Sequence, residues 1–425
     1  MIKRLVKKIL SRIKRCFIIF FSFLKNYSII NYINKKIANN NKHGIIPVII
    51  DCELSALYQY FEPVVEELVK IRGQKFEFYF GEMIRGAGSS YFCYNKNNVF
   101  PVEIYQKLKG EMIFLSPHIY PKGPPSALKI LFDHAMCTMK FSFHPKEYYE
   151  NYDIYCVTGK LYEEKIINTL KNIGLTDKVF VANVGFPKSD KLHRGDLSSK
   201  EAIFSRLKLN SDKKTVIYAP SWEEGLSARE FGIPLVETIL KSKEINLIIK
   251  FHPCFFVSKK DTGYLFYTGG IDWEKRFSHC MENENFAFVK EFKIDELLLV
   301  SDIMITDFSS VALEFMVLDK PVIFLDCPNF EKTFNDLYKQ YNNVKYSELL
   351  DDPHCNAGRH VGLINYDYKT ITDDINFLIN SPDYKSKERN EYSKQLLSNK
   401  GNASKISANM ILEQFNKKRN VQITT

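Results

Sequence analysis

The chain has 425 residues, of which 45% are hydrophobic and 26% charged. It is therefore long enough for two or more domains and too apolar to be disordered throughout. Nine scattered cysteines without a Cys-x-x-Cys pair argue against a disulfide framework and a cysteine zinc site. The first 50 residues hold eleven Lys and Arg and no acid, so subtracting 11 from 59 leaves 48 basic against 50 acidic side chains in a nearly neutral body.

The basic N-terminal arm has the pattern of an amphipathic helix. Between Met1 and Leu24 apolar residues recur at the i, i+3, i+4 spacing, and Lys and Arg fill the opposite face. The uncharged run from Cys16 to Leu24 has nine residues, short of the roughly 20 needed to cross a bilayer. We expect this helix to lie on an anionic membrane surface as a peripheral anchor. Docking on the protein's own core, a cleaved signal peptide and nucleic-acid binding are the alternatives, and the large apolar face favours lipid.

From Gly44 onward, short β-like runs alternate with helical patterns, which predicts parallel sheets built from βαβ units. Two sets of such runs occur, separated by a polar stretch near residue 197. The first set is Ile45–Ile50, Lys75–Phe80, Glu111–Leu115, Asp153–Thr158 and Lys178–Val184; the second is Thr215–Pro220, Ile245–Phe251, Phe286–Val289, Asp302–Thr306 and Pro321–Asp326. We therefore predict two doubly wound α/β domains facing a cleft. The predicted boundaries are an arm at 1–42, domains at 43–197 and 198–368, and polar helices at 369–425.

The sharpest local signal is DIMITDFSSVALEFMVL, residues 302–318. A strand ends near Thr306 and a helix begins near Ser309 and Ser310, with Val311, Phe315 and Leu318 expected on its inward face. Hydroxyls and free N–H groups at a helix start can bind an anion, and the carboxyl ends of parallel strands are where α/β folds bind ligands. Glu314, one turn on, would reach the hydroxyls of an adjoining ribose. The alternative is that the two serines act only as helix N-caps.

Two histidines also stand at predicted strand ends. His252 ends the run IIKFHP, and Pro253 disfavours a helix directly after it. His134 lies in FDHAMCTMK after a strand or short helix, with Lys140 six residues on. A structural role is the alternative for each. No Asp-x-Asp occurs in the chain, so we expect no metal and no cofactor, and the charge of a diphosphate would be offset by protein donors.

These motifs together resemble the CDP-glycerol glycerophosphotransferase family, which builds teichoic acids and related capsule polymers. The matching segments, in order, are GFPKSD (185–190), APSW (219–222), His252–Pro253 and TDFSS (306–310). The resemblance implies a GT-B architecture of two Rossmann-like domains, with the donor nucleotide mainly on the C-terminal one. It also implies a peripheral enzyme at the cytoplasmic face of the cell membrane. Lys188 replaces the family's usual Arg, and Glu223 replaces its usual basic residue.

The function that follows is transfer of a polyol phosphate from a CDP-activated donor, glycerol first and ribitol second, to a hydroxyl of a lipid-linked or membrane-proximal glycan. His134 would be the general base and His252 a donor to the diphosphate. The expected nucleotide-binding residues are Ser221, Thr306, Asp307, Ser309, Ser310 and Glu314. The alternatives are a GT-B glycosyltransferase using a nucleotide sugar, and a polysaccharide-binding or scaffolding protein.

Overall fold

The computed structural model describes residues 26–53, 55–83, 96–136, 145–256, 269–338 and 346–424. The predicted amphipathic arm through Leu24, and also Lys140, lie outside the described residues. The chain forms two compact units. The first comprises the described residues up to Phe132 with Asn151–Ile154 and the chain from Ala408; the second comprises Asp133–Glu150 and Tyr155–Ser407.

Five parallel strands of the first unit run side by side in the order β3-β2-β1-β4-β5. They are β1 (Ile45–Asp51), β2 (Lys75–Glu82), β3 (Val99–Pro101), β4 (Ile113–Ser116) and β5 (Leu128–Phe132). Val48, Ile49 and Ile50 of β1 are wholly buried. Such a continuous apolar run is typical of a parallel strand that is covered on both faces.

Asp51 ends the central strand of this sheet and is wholly buried. Its carboxylate accepts hydrogen bonds from the Tyr105 hydroxyl and the Ser116 hydroxyl, each at 2.9 Å. Burial raises the pKa of Asp51 to about 7 against the pull of these two donors. Gly81 on β2 lies beside Tyr105, and a Cβ there would overlap the Tyr105 hydroxyl. A glycine is thus needed for Tyr105 to reach the carboxylate.

The second unit is built on a parallel sheet of six strands in the order β10-β9-β8-β11-β12-β13. These are β8 (Lys214–Tyr218), β9 (Ile245–Lys250), β10 (Phe286–Val289), β11 (Ile303–Thr306), β12 (Val322–Leu325) and β13 (Leu363–Asn365). Two short strands, β6 (Ile154–Val157) and β7 (Phe180–Asn183), precede them in the chain. The core of this unit packs aliphatic side chains of the strands against an aromatic group around Phe251 and Trp273.

The helices of the described chain vary from one turn to 22 residues. They are α1 (26–42), α2 (Glu62–Lys70), α3 (Lys146–Tyr149), α4 (Lys160–Asn172), α5 (Asp190–Arg194), α6 (Lys200–Leu207), α7 (Ser227–Leu240), α8 (Trp273–Arg276), α9 (Asp295–Val300), α10 (Val311–Met316), α11 (Phe330–Tyr338), α12 (Tyr346–Asp351), α13 (Ile371–Asn380), α14 (Ser386–Leu396) and α15 (Ala403–Thr424). None of them, over the residues described, is long and apolar enough to cross a membrane.

Helix α1 shows that the end of the predicted arm belongs to the first unit. Ile33 and Ile37 are buried, and the Asn40 amide donates to the Tyr79 hydroxyl at 3.0 Å. Tyr27 and Tyr32 are by contrast 58% and 49% exposed. A truncation that tests the arm must therefore leave α1 in place.

The α/β class and the parallel sheets are confirmed, and every predicted run from Ile45 to Asp326 contains a strand. Strands β3 and β13, with three residues each, were not predicted. The segment before His134, left open above as a strand or short helix, is strand β5. The strands β6 and β7, predicted in the domain 43–197, group with the second unit, and the predicted domain limits remain a prediction.

Candidate active site

The order of the six-stranded sheet defines the candidate site. Strand β8 comes first in the chain and lies between β9 and β11, so the connections leave to opposite sides at this point. Doubly wound sheets bind ligands outside the carboxyl ends of the strands at such a switch point. Ser221 follows β8, His252 follows β9, and residues 307–310 follow β11. The topology thus brings the predicted donor-binding segments of the second unit to one edge.

Asp307 ties two of these loops together. It is 1% exposed and accepts hydrogen bonds from the backbone N–H groups of Ser221 at 2.9 Å, Ser227 at 3.0 Å and Phe308 at 2.7 Å. The Ser227 hydroxyl donates to it at 2.6 Å as well. Burial raises the pKa of Asp307, and the hydrogen bonds oppose that rise. The carboxylate therefore fixes the loop after β8 against the loop after β11.

Thr306 makes a second link, because its buried hydroxyl donates to the carbonyl oxygen of Ala219 at 2.7 Å. The side chains of Thr306 and Asp307 are thus engaged with the protein itself. Their direct contact with a nucleotide stays a prediction. The Ser221 hydroxyl donates to the carboxylate of the buried Glu223, the position where the resemblance leads one to expect a basic residue.

Ser309 and Ser310 are placed differently. Both are partly exposed, and among the described residues neither hydroxyl has a hydrogen-bond partner. Ser310 occupies the N-cap position of α10 without a side-chain capping bond, so capping is not what its hydroxyl does here. Two hydroxyls beside the switch point are thus accessible to a ligand.

The prediction for the inward face of α10 is partly wrong. Phe315 is wholly buried, but Val311 and Leu318 are only partly buried. The helix ends at Met316, and Asp319 takes a left-handed conformation with φ of 55°. Leu318 therefore lies beyond the helix, in the turn that leads to β12.

Glu314 faces inward from α10 and forms a buried ion pair. Its Oε2 lies 2.6 Å from Nζ of Lys188, with side-chain exposures of 8% and 4%. Burial raises the pKa of Glu314, whereas Lys188 lowers it and Asp295 raises it further. Lys188 belongs to the GFPKSD segment after β7, so the fold brings residues 126 positions apart into contact.

A second buried lysine lies near this pair. Lys250 is the last residue of β9, two positions before His252, and its Nζ donates to the Phe251 carbonyl at 2.9 Å. Burial, together with the positive charge of Lys188, lowers the pKa of Lys250 to about 8, and Glu291 opposes this shift. This residue was not selected from the sequence, although a lysine ending a largely apolar run was a signal.

His252 is exposed at the start of the loop after β9. Its Nδ1 accepts a hydrogen bond from the backbone N–H of Cys254 at 3.2 Å. A neutral imidazole in this arrangement carries its proton on Nε2. The ring is thus set to donate from Nε2.

His134 belongs to a separate group of side chains after β5. Its Nδ1 lies 3.5 Å from Oδ1 of Asp133, whose side chain is 1% exposed. The Tyr162 hydroxyl donates to the other oxygen of Asp133 at 2.6 Å. A carboxylate fixed in this way favours a proton on Nδ1 of His134, which leaves Nε2 as the basic nitrogen. Asp133 was not selected from the sequence, although it directly precedes His134.

Asp190, the last residue of the GFPKSD segment, is structural. Its buried carboxylate accepts from the backbone N–H groups of Ala403 at 3.1 Å and Ser404 at 2.7 Å, which caps the start of α15. The motif therefore contributes one side chain to the candidate site and one to the frame around it.

The fold is that of the GT-B class, in which Rossmann-like α/β sheets support a nucleotide site at a topological switch point. The family model for CDP-glycerol:poly(glycerophosphate) glycerophosphotransferase matches residues 136–354, more than half of the chain. The chain belongs to this family.

Known teichoic acid enzymes are similar to this chain in sequence and in fold. The teichoic acid poly(glycerol phosphate) polymerase of Bacillus spizizenii is 31% identical over 183 residues, which cover 41% of this chain and 42% of that protein. The teichoic acid glycerol-phosphate transferase of Staphylococcus aureus is 28% identical over 211 residues, covering 47% and 48%. The chain spans less than half the length of these two relatives. The solved structure of the wall teichoic acid polymerase TagF superposes with a TM-score of 0.56 at 15% identity, covering 88% of this chain and 89% of that one, and shares the fold.

Proposed function

We propose that this protein transfers a polyol phosphate from a CDP-activated donor, CDP-glycerol first and CDP-ribitol second, to a hydroxyl of a glycan or polymer. The acceptor oxygen attacks the β-phosphorus and forms a new P–O bond. The bond from that phosphorus to the bridging oxygen breaks, and CMP leaves with the electron pair. The acceptor loses one proton, which a base must take up.

Different side chains carry out the steps of this reaction. Nε2 of His134 takes the acceptor proton, because the Asp133 carboxylate, 3.5 Å from Nδ1, favours the proton on Nδ1. His252 donates from Nε2 to the diphosphate and stabilises the departing charge. Ser309 and Ser310 donate to phosphate oxygens, and Glu314 accepts from the ribose hydroxyls.

One observation carries the proposal: the family-matching segments converge on the switch point of the six-stranded sheet, where two serine hydroxyls have no partner among the described residues. A scaffold protein has no need of such an arrangement. Family membership supports the choice of a CDP-linked donor over other nucleotides.

The experiment is a donor panel. Purified protein is incubated with CDP-glycerol, CDP-ribitol, and UDP- and CDP-linked sugars, together with a lipid-linked glycan acceptor, and the released nucleotide is identified. Release of CMP with growth of the acceptor is the expected result. Release of UDP from a UDP-sugar would assign the chain to nucleotide-sugar transfer. Binding of the glycan without release of any nucleotide would show that the chain is a binding protein.

We also propose that the protein works at an anionic membrane surface on the cytoplasmic side, where a lipid-linked acceptor would be found. Helix α1, which forms the end of the predicted arm, exposes Tyr27, Tyr32 and Lys35. Tyrosine and lysine side chains suit a membrane interface, since each has an apolar body and a polar end. Removing residues 1–25 while keeping α1 should abolish sedimentation with vesicles containing anionic lipid. Continued sedimentation of a folded truncated protein would show that the arm is not the anchor.

A further inference from the structure

Lys188 and Glu314 form a pair whose burial needs an explanation. Their side chains are 4% and 8% exposed, so both charges have lost most of their water. A buried ion pair is weak evidence for stability, because the loss of hydration can exceed the Coulombic attraction. The pair lies on the loop after β7 and the inward face of α10, next to the switch point. Its two charges match two parts of a nucleotide, the anionic phosphate and the ribose hydroxyls.

The hydrogen bonds of Glu314 leave one of its carboxylate oxygens without a partner among the described residues. Lys188 is its one hydrogen-bonding partner among the described residues, and it is bound through Oε2. If the Glu314 carboxylate turns to ribose hydroxyls, Lys188 loses a charged contact in a buried place. That cost is avoided if the ammonium gains a negative oxygen in the same step.

Lys250 favours a move of the Lys188 ammonium from Glu314 to a negative phosphate oxygen. Its charge lies close enough to Lys188 for the two to repel, and it stands two residues before His252. An anionic phosphate oxygen near these groups would relieve that repulsion, whereas a neutral ligand would not.

We propose that Lys188 is a donor-binding residue that passes from Glu314 to a phosphate oxygen when the nucleotide binds, while Glu314 passes to the ribose hydroxyls. The inference rests on the proposed function and adds a residue that binds the charged phosphate. In the ligand-free protein the two side chains neutralise each other. In the complex each has a ligand group as its partner.

The test compares cytidine with CMP, because the two differ by one phosphate. Lys188→Met should weaken CMP binding about 10- to 100-fold, the range for a hydrogen bond between charged groups, and leave cytidine binding within about threefold. Lys188→Arg should retain most of the CMP affinity, since it keeps the charge. Glu314→Gln should weaken both ligands, because both carry the ribose.

The double variant separates binding from charge balance. Lys188→Met alone leaves Glu314 buried without a counterion, so a loss of folding would obscure the result. In the Glu314→Gln background that problem is absent, and adding Lys188→Met should still weaken CMP binding at least tenfold. An unchanged CMP affinity in that background would show that Lys188 only neutralises Glu314 and would overturn the proposal.

A matched control is Lys320→Met. Lys320 is a partly buried lysine of the second unit, with a pKa lowered to about 8 by burial, and it donates to the carbonyl oxygens of Leu298, Leu299 and Ser301. Its loss should lower the melting temperature without a selective effect on CMP binding.

If wild-type protein binds UMP rather than CMP, the proposed donor is wrong, and the same comparison with uridine and UMP still decides the role of Lys188. Failure to bind any of these nucleotides overturns both the proposed function and the proposed role of Lys188.

Discussion

The two strand-end histidines differ in the group that contacts Nδ1, and this difference gives them different chemistry. After β5, a buried carboxylate faces Nδ1 of His134 at 3.5 Å. After β9, Nδ1 of His252 accepts from the backbone N–H of Cys254 at 3.2 Å. A carboxylate favours a protonated Nδ1 and a basic Nε2, whereas an N–H donor favours the reverse. These surroundings favour Nε2 as an acceptor in His134 and as a donor in His252.

The comparison is tested most strongly by replacing His134 with Gln. Glutamine fills similar space and can donate or accept a hydrogen bond, but it cannot take up a proton at neutral pH. We expect turnover to fall by about 10² to 10⁴, as for loss of a general base, with CMP affinity unchanged. Single-turnover rates with a melting curve measure both. A stable His134→Gln protein with wild-type rates would remove His134 from catalysis.

The same substitution at His252 should have a much smaller effect. The side-chain amide of glutamine can donate close to where Nε2–H donates, so we expect turnover and donor affinity to fall less than about tenfold. His252→Ala removes the donor and should lower both by about 10- to 100-fold. Equal losses for His252→Gln and His252→Ala would mean that donation is not what His252 provides.

The sequence predicted the fold better than the contacts within the site. The parallel strands of the second sheet are marked by largely apolar runs such as INLIIK, all of whose residues are buried, and the residue after such a run must lie at the carboxyl edge. This is why His252, Ser221 and the segment 307–310 were placed together. Contacts between distant segments have no such local mark. Lys188 and Glu314 are 126 residues apart, and only the folded chain pairs them.

The motif side chains that were all predicted to bind the nucleotide differ in their contacts with the protein. Asp307 and Thr306 use their hydrogen bonds on the protein's own loops, whereas Ser309 and Ser310 keep theirs available. The adjacent residues differ because burial requires polar groups to find partners within the protein, and a linear pattern does not report burial.

A smaller effect is expected from the residue that orients His134. Asp133→Asn keeps the shape but no longer favours a proton on Nδ1, so turnover should fall about tenfold with donor affinity unchanged. Tyr162→Phe is the matched control, because the Tyr162 hydroxyl contacts Oδ2 of Asp133 and His134 lies beside Oδ1. That variant should lose some stability and keep most of its turnover. An equal loss of turnover in both variants would point to general loosening of the loop.

The smallest effect on turnover is expected from Asp51→Asn in the first unit. Asp51 matters for the comparison because it titrates in the same pH range as a histidine. The folded-state pKa of about 7 exceeds the ordinary value of 3.8, so folding favours the protonated acid. The stability it contributes is complete below about pH 4 and is lost as the pH rises to about 7. Wild-type protein should therefore lose about 2 to 3 kcal/mol between pH 5 and pH 8 relative to Asp51→Asn, which does not titrate. Melting curves of the two proteins across this range measure the difference, and parallel curves would contradict it. Rate profiles of the histidine variants are best recorded in the Asp51→Asn background, where this contribution of folding to the pH dependence is absent.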